Sequence, residues 1–204
     1  MTGSPAGRRR HAPATLRNRD AILAVLRRVL PASGTVLEIA AGTGEHAVYF
    51  SAAFPSLTWL PTDGDPDAVD AIAAARDDEG TSNLLAPLYL DVTTGPWPVD
   101  AVEAVFSANM IHISPWSTCL GLLAGAGRHL SRGGVLVLYG PYRIGGAHTA
   151  PSNAAFDRDL RSRNPAWGVR DLEAVVEAAG REGLHLEETV AMPANNQIVV
   201  LRRP

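Results

Sequence analysis

Residues Thr35 to His46 read TVLEIAAGTGEH, and this stretch decides the fold. Val36, Leu37 and Ile39 make the apolar, mostly β-branched run of a buried parallel strand, interrupted by a single charge at Glu38. The run ends in Ala40-Ala41-Gly42-Thr43-Gly44, all small residues. From Glu45 the pattern becomes helical, with Val48, Tyr49, Ala52 and Ala53 on one side. A strand, a small-residue turn and a helix bring backbone N–H groups close to a nucleotide-like ligand. Gly42 and Gly44 permit close approach and unusual φ without a Cβ clash. A Gly-x-Gly alone is equally compatible with a tight βα turn that holds nothing, so the rest of the chain carries the weight.

Upstream, residues 1–13 contain Gly, Ser, Pro and Arg without apolar periodicity and read as a disordered tail. Residues 14–204 read as one domain. Ile22, Leu23, Leu26, Val29 and Leu30 recur at helical spacing, with Asn18 or Asp20 as the cap and Pro31 and Gly34 as the stop. Downstream, the helix Glu45–Ala53 leads to a strand at Leu57–Leu60 and the loop Pro61–Pro66. Asp63 lies about 20 residues beyond the glycines, where a carboxylate at the end of the second strand takes the hydroxyls of a ribose. Asp65 is better placed to cap the next helix, with Pro66 at its first position. A third strand spans Leu84–Leu90 and stops at Asp91-Val92. A fourth, Val102–Phe106, opens into Ser107–Trp116. Ser114-Pro115 starts a helix ending at Arg132-Gly133-Gly134, and a fifth strand runs Val135–Tyr139.

Residues 143–168 form an insertion, irregular except for a short helix around Asn153–Arg161, and are a candidate lid. A helix Asp171–Glu182 follows. Strands at Leu184–Val190 and Gln197–Leu201, joined by the short Met192–Asn196, form an antiparallel hairpin. Strands alternating with helices predict a doubly wound, Rossmann-like α/β domain with a mostly parallel sheet and this C-terminal hairpin. Its polar features all fall at the carboxyl ends of the strands, where such sheets bind ligands.

Composition excludes several classes. The 204 residues carry a net charge of −3, which gives no electrostatic case for nucleic acid as a partner. Cys119 is the one cysteine, so there is no intramolecular disulfide framework and no multi-cysteine zinc site. All 18 basic residues are arginine, which removes Schiff-base and P-loop lysine chemistry. No cluster has metal-ligand spacing. No apolar run is long enough to span a bilayer, and Arg8-Arg9-Arg10 are not followed by a signal-peptide core. A cytoplasmic protein with no membrane partner is the expectation.

The spacing Glu38-x-Ala40-x-Gly42-x-Gly44 resembles the first motif of the class I S-adenosylmethionine-dependent methyltransferases, E/D-x-G-x-G-x-G. Glu45 stands where a dinucleotide fingerprint needs its third glycine, which disfavours an NAD enzyme. Ala40 departs from the motif's first glycine and is expected at negative φ. The resemblance implies a seven-stranded class I methyltransferase fold, S-adenosylmethionine as cofactor and S-adenosylhomocysteine as product. It places Asp63 at the ribose acid, Asp91-Val92 at the adenine and Asn109 where the methionine moiety meets the substrate. With Glu38, Ala40, Gly42 and Gly44 these make the candidate cofactor set.

Five further stretches, Asn109–Trp116, Tyr139–Tyr142, Ser152–Asp157, Trp167–Asp171 and Met192–Asn196, are together similar to the DUF938 (UPF0585) family, which includes methyltransferase-like protein 26. The similarity runs from Arg17-Asn18 to the C-terminus and implies no particular substrate. His112, just beyond Asn109 and titrating in the right range, is the first candidate base; a histidine there also serves to buttress the loop before Trp116. Tyr142 joins it as a catalytic candidate, and His148 is an alternative base. Asn18, Met110, Tyr139, Asp157, Arg170, Asn195 and Asn196 are candidate substrate contacts, although Asp157 and Arg170 commonly pair with each other. The expected activity is methyl transfer to an unidentified small molecule. The alternatives are a non-methylating reaction in the same pocket, or a non-catalytic partner subunit. Oligomeric state stays open.

Overall fold

The computed structural model describes residues 13–204. The expected tail, Arg8-Arg9-Arg10 included, lies outside the described residues except for Pro13, which opens the first helix. Helix α1 (Pro13–Val29) is one continuous element, so Asn18 and Asp20 lie inside it and do not cap it. The chain continues through β1 (Gly34–Ile39), α2 (Glu45–Ala53), β2 (Leu57–Asp63), α3 (Pro66–Glu79), β3 (Leu88–Tyr89), β4 (Val102–Ala108), α4 (Trp116–His129) and β5 (Leu130–Gly140). Next come β6 (Tyr142–Ile144), β7 (Ala147–His148), α5 (Pro151–Arg163), β8 (Arg170–Asp171) and α6 (Leu172–Arg181). The hairpin β9 (His185–Met192) and β10 (Asn196–Arg202) ends the chain.

Seven strands form one sheet in the order β3-β2-β1-β4-β5-β10-β9. The first five are parallel, and β10 inserts antiparallel between β5 and β9. Alternation along β1 divides the core. Val36 points with Phe106 and Val137 toward Ile22 and Leu26 of α1 and Phe50 of α2. Leu37 and Ile39 point with Val105 toward Leu122 and Leu123 of α4 and Val175 of α6. The fold class read from the sequence is the one observed.

Several elements differ in extent, and β2 runs on to Asp63 through residues expected in a loop. The third strand reduces to Leu88–Tyr89 plus one bridge from Leu84 to Trp59, because Pro87 has no N–H to give the ladder. Helix α4 stops at His129, and Leu130 already pairs with Val102, so β5 begins before the glycines expected to end the helix. The insertion is more regular than its composition suggests: β6, β7 and β8 form a small sheet in the order β7-β6-β8, and α5 is longer at both ends than expected. Among the described residues no helix is long and apolar enough to cross a membrane.

The exit from β1 carries a correction. Ala40 adopts φ 57, in the left-handed region, where negative φ is expected of alanine. The conformation, not only the small size, explains why the resembled motif has glycine there. Left-handed backbone costs a non-glycine residue about 1–2 kcal/mol, and the extra freedom of glycine in the unfolded chain offsets about 0.4–1 kcal/mol of any relief. Ala40→Gly is therefore expected to stabilise the protein by about 0.5–1 kcal/mol in urea titration. A lowered midpoint would remove strain from the account of this turn.

Candidate active site

The turn after β1 is tied to the end of β2 by one side chain. Asp63 accepts the Gly42 N–H at Oδ2 (2.9 Å) and the Asp65 N–H at Oδ1 (3.0 Å). Asp65 caps α3 by accepting the Asp67 N–H at 3.0 Å, with Pro66 behind it, as expected. Gly42 has φ 61, and a Cβ built there would meet nothing within 4 Å, so this face of the turn is open to a ligand. Gly44 faces the other way: a Cβ there would lie 3.1 Å from the Ile72 backbone, so its absence lets α2 and α3 pack closely.

Beside this turn lies a cleft of about 240 Å³. Ile39, Leu90, Val92 and Met110 give it apolar walls, and Asp63, Asp65 and Asp91 give it an acidic rim. Asp91 is fixed by accepting the Thr93 N–H (2.8 Å) and hydroxyl (2.7 Å) at Oδ1, leaving Oδ2 uncommitted. A flat apolar ring attached to a polyol suits this combination, because carboxylates accept hydrogen bonds from hydroxyls while the walls cover the ring. Met110, expected among the substrate contacts, lines this cleft instead.

Glu38 does not join the cleft. It points to the other face of the sheet, is 2% exposed, and accepts the Trp59 Nε1–H at 2.6 Å. Burial pushes its carboxyl up to about 8, against the Trp59 hydrogen bond, with the charge of Asp63 adding to the rise. The expected cofactor contact is a core carboxyl, because strand alternation sends residue 38 away from Ile39.

A second cavity has a volume of about 700 Å³; Asn109, just past the end of β4, lines this larger space, and the next residue, Met110, lines the smaller. It gathers Asn18, Asn109, Tyr139 and Asn196 from the expected set. Asn109 leaves β4 with φ 62 and donates its N–H to the Tyr139 carbonyl at 2.8 Å. Asn196 donates from Nδ2 to the Tyr139 hydroxyl at 2.9 Å, and Asn18 pairs with His46 Nε2 at 2.9 Å. Asn195 does not line the cavity. Its carbonyl accepts from Asn153 Nδ2 (2.9 Å) and its amide donates to Ser152 Oγ (3.2 Å), tying the last hairpin to α5. Arg17, Ser152, Asn153, Phe156 and Pro193 are lining residues outside the expected set. The stretch Ser152–Asp157 already stood out in the sequence, without a role.

The expected catalytic pair is not at either cavity. His112 has no exposure. Its Nδ1 accepts the Arg170 N–H at 3.2 Å, its carbonyl accepts the Gly168 N–H at 2.9 Å, and its ring meets Tyr142 edge-on at 5.1 Å. Burial, helped by the Arg170 charge, pushes it down to about 3, so the ring is neutral near pH 7. Tyr142 is equally buried, and burial pushes its hydroxyl well above the usual phenol range. Both are core residues, and the general-base assignment is corrected accordingly.

Asp157 and Arg170 line neither of these two cavities, and among the described residues no ion pair joins them. Asp157 accepts Arg161 Nε (3.0 Å) and the Val169 N–H (2.7 Å), with His148 Nε2 at 3.6 Å. Arg170 donates to the carbonyls of Ile111 (2.8 Å) and Ala166 (3.0 Å) and lies over the Trp116 ring. Asp157 ties α5 to the chain before β8, and Arg170 fastens the end of the insertion to the loop after β4.

The family model described as a protein of unknown function, DUF938, matches residues 9–203. The fold is similar to that of the S-adenosylmethionine-dependent methyltransferase SibL in its apo form, at 21% identity and TM-score 0.77, over 94% of this chain and 56% of that one. It is similar to CalO1, a methyltransferase in calicheamicin biosynthesis solved with S-adenosylhomocysteine bound, at 16% identity and TM-score 0.71, over 90% and 54%. A Haloferax volcanii protein solved in complex with the Trm112 methyltransferase activator is similar at 17% identity and TM-score 0.73, over 93% and 92%. The chain thus spans little more than half the length of the first two and nearly all of the third.

The buried groups predict measurable behaviour. Glu38 holds its proton more tightly in the folded than in the unfolded chain, so the native state carries the extra proton between the ordinary carboxylate range and about pH 8. Its contribution to stability is present at low pH and is lost as pH rises through about 8. Glu38→Gln is expected to flatten that decline in denaturant titrations across this window; an unchanged slope would place the titration elsewhere. His112→Ala is expected to cost about 2–4 kcal/mol of stability, the range for emptying a buried large side chain. At matched folded fraction it should leave cofactor affinity and rate unchanged, and a selective loss of rate would restore a catalytic role.

Proposed function

This chain belongs to the DUF938 family, and we propose that it is an S-adenosylmethionine-dependent methyltransferase acting on a small molecule. The observation that carries the reading is a pair of cavities lined by consecutive residues at the end of β4: a cleft with apolar walls and an acidic rim that includes Met110, and a larger amide-lined space that includes Asn109. The similar folds of methyltransferases, one with S-adenosylhomocysteine bound, support it.

In this reading Asp63 and Asp91 take the ribose and adenine side of the cofactor, Leu90, Val92 and Met110 cover the ring, and the open face of Gly42 admits close approach. Asn109 lines the acceptor cavity one residue before Met110 of the cofactor cleft, which puts it between cofactor and acceptor in this reading. When bound, the cofactor supplies an electrophilic methyl group on a sulfonium. The residues of this chain hold the acceptor in line with that group and exclude water, which is the main requirement of a displacement with so good a leaving group. Arg17, Asn153 and Phe156 place the first and fifth helices on the acceptor side. A cavity of about 700 Å³ suits a small-molecule acceptor, since such sites span roughly 300–1,000 Å³.

Titration calorimetry with S-adenosylmethionine, S-adenosylhomocysteine and NAD tests the reading. Micromolar binding of the first two without an NAD signal is expected. Asp63→Ala should weaken that binding by about 1–3 kcal/mol through loss of charge-assisted hydrogen bonds and of the tie to Gly42. No binding of either sulfur ligand overturns it; binding without consumption of the donor across an acceptor screen favours a non-methylating reaction.

A further inference from the structure

Tyr139 lines the larger cavity from the end of β5, and its hydroxyl has an unusual setting. The phenol oxygen accepts a hydrogen bond from Asn196 Nδ2 at 2.9 Å. Asn18 lines the same cavity and turns Oδ1 toward His46 Nε2 at 2.9 Å, which leaves its NH₂ to other partners. Asn196 also shares its NH₂ with the Pro193 carbonyl at 3.3 Å. His46 is pushed down to about 4 by burial, so its neutral ring donates to Asn18 near pH 7.

A phenol has one hydrogen and two lone pairs. Asn196 donates to one lone pair, and among the described residues no hydrogen bond takes the phenol hydrogen, so it is left to be given to a ligand. Burial raises the hydroxyl above its ordinary pKa, against the lowering effect of the Asn18 and Asn196 side chains, so that hydrogen stays in place at neutral pH. The surrounding chemistry points the same way. Among the described lining residues Arg17 carries the one charge, and none bears a carboxylate or an imidazole. Ile113, Pro141 and Phe156 supply the apolar surface.

Resting on the methyltransferase reading, we propose that this cavity takes a small apolar molecule bearing an acidic phenol or thiol, bound as its anion with the Tyr139 hydroxyl donating to the anionic atom. Transfer to such an acceptor balances without a protein base. A lone pair of the anionic oxygen or sulfur forms the bond to the methyl carbon as the carbon–sulfonium bond breaks. The anion and the sulfonium neutralise each other, giving a methyl ether or thioether and a neutral thioether. The acceptor's proton has already gone to solvent on ionisation.

The test uses the full chain, with and without saturating S-adenosylhomocysteine. It is titrated with 4-nitrophenol, 4-nitrothiophenol and 4-nitroanisole at a pH where the first two are ionised. At least one anion is expected to bind roughly 10- to 100-fold more tightly than the anisole, as a charge-assisted hydrogen bond would give. Comparison of the two anions separates oxygen from sulfur acceptors. Tyr139→Phe should abolish most of that preference while leaving anisole affinity in place. Absorbance of the bound nitrophenol adds a wild-type readout that does not depend on the variant's folding: its apparent pKa should fall on binding. Equal affinity for anion and anisole, no binding of any probe, a raised bound pKa, or a preference that survives Tyr139→Phe each overturns the proposal. Affinity for S-adenosylhomocysteine, measured alone, reports separately on the methyltransferase reading.

Discussion

The Asp63 carboxylate joins the two loops from which the site is built. Strand β1 lies between β2 and β4, so its carboxyl end has neighbours on both sides and must leave the sheet upward. It does so through left-handed backbone at Ala40, Gly42 and Gly44, a path held to β2 by the Ala41 N–H, which donates to the Thr62 carbonyl at 2.9 Å. Asp63 adds a side-chain tie that holds the Gly42 and Asp65 amides together. The orientation of α2, the cap of α3 and the mouth of the acidic cleft all follow from that pair of bonds. A similar left-handed exit at Asn109 ends β4, and the two exits leave the space between them open to ligands.

Two kinds of carboxylate result, and strand alternation separates them. Asp63 ends its strand at the rim, where an acid keeps access to solvent and to polar partners. Glu38 sits in mid-strand and is sealed among Trp59, Phe50 and Phe106, where a charge is disfavoured. His112 shows the same principle on the opposite face: its neighbours keep it neutral and use it as a hydrogen-bond acceptor for the Arg170 backbone. Glu38 and His112 are therefore core groups, whereas Asp63 at its strand end stays available at the rim. A rise in Glu38 and falls in His46 and His112 act on stability from opposite sides of the pH scale.

What the sequence made legible was what local pattern encodes. Continuous apolar runs marked the parallel strands, the two-residue logic of Asp65-Pro66 marked a helix start, and the short Met192–Asn196 link marked the hairpin. The acidic cleft was legible too, since Asp63, Asp91 and Val92 end their strands. The fate of His112 was not, because it depends on Gly168 and Arg170, more than fifty positions away in the chain. Asp157 and Arg170 were read as a potential pair, but each found nearer backbone partners once α5 and β8 had folded over the loop after β4. Asn195 and Asn196 are adjacent, yet one ties the hairpin to α5 and the other reaches Tyr139, a division set by the left-handed turn at Ala194 and Asn195.

The place of β10 has a consequence for how the molecule is made. The strand slots between β5 and β9, and its first residue, Asn196, forms a wall shared with Asn18 of α1. During synthesis the first five strands and their helices leave the ribosome before either hairpin strand exists. Until β10 threads into its slot, the sheet ends at β5 with an open edge, and the larger cavity lacks one side. The larger cavity therefore gains its last wall only once β10 has paired with β5, so that its shape depends on a pairing between distant parts of the chain.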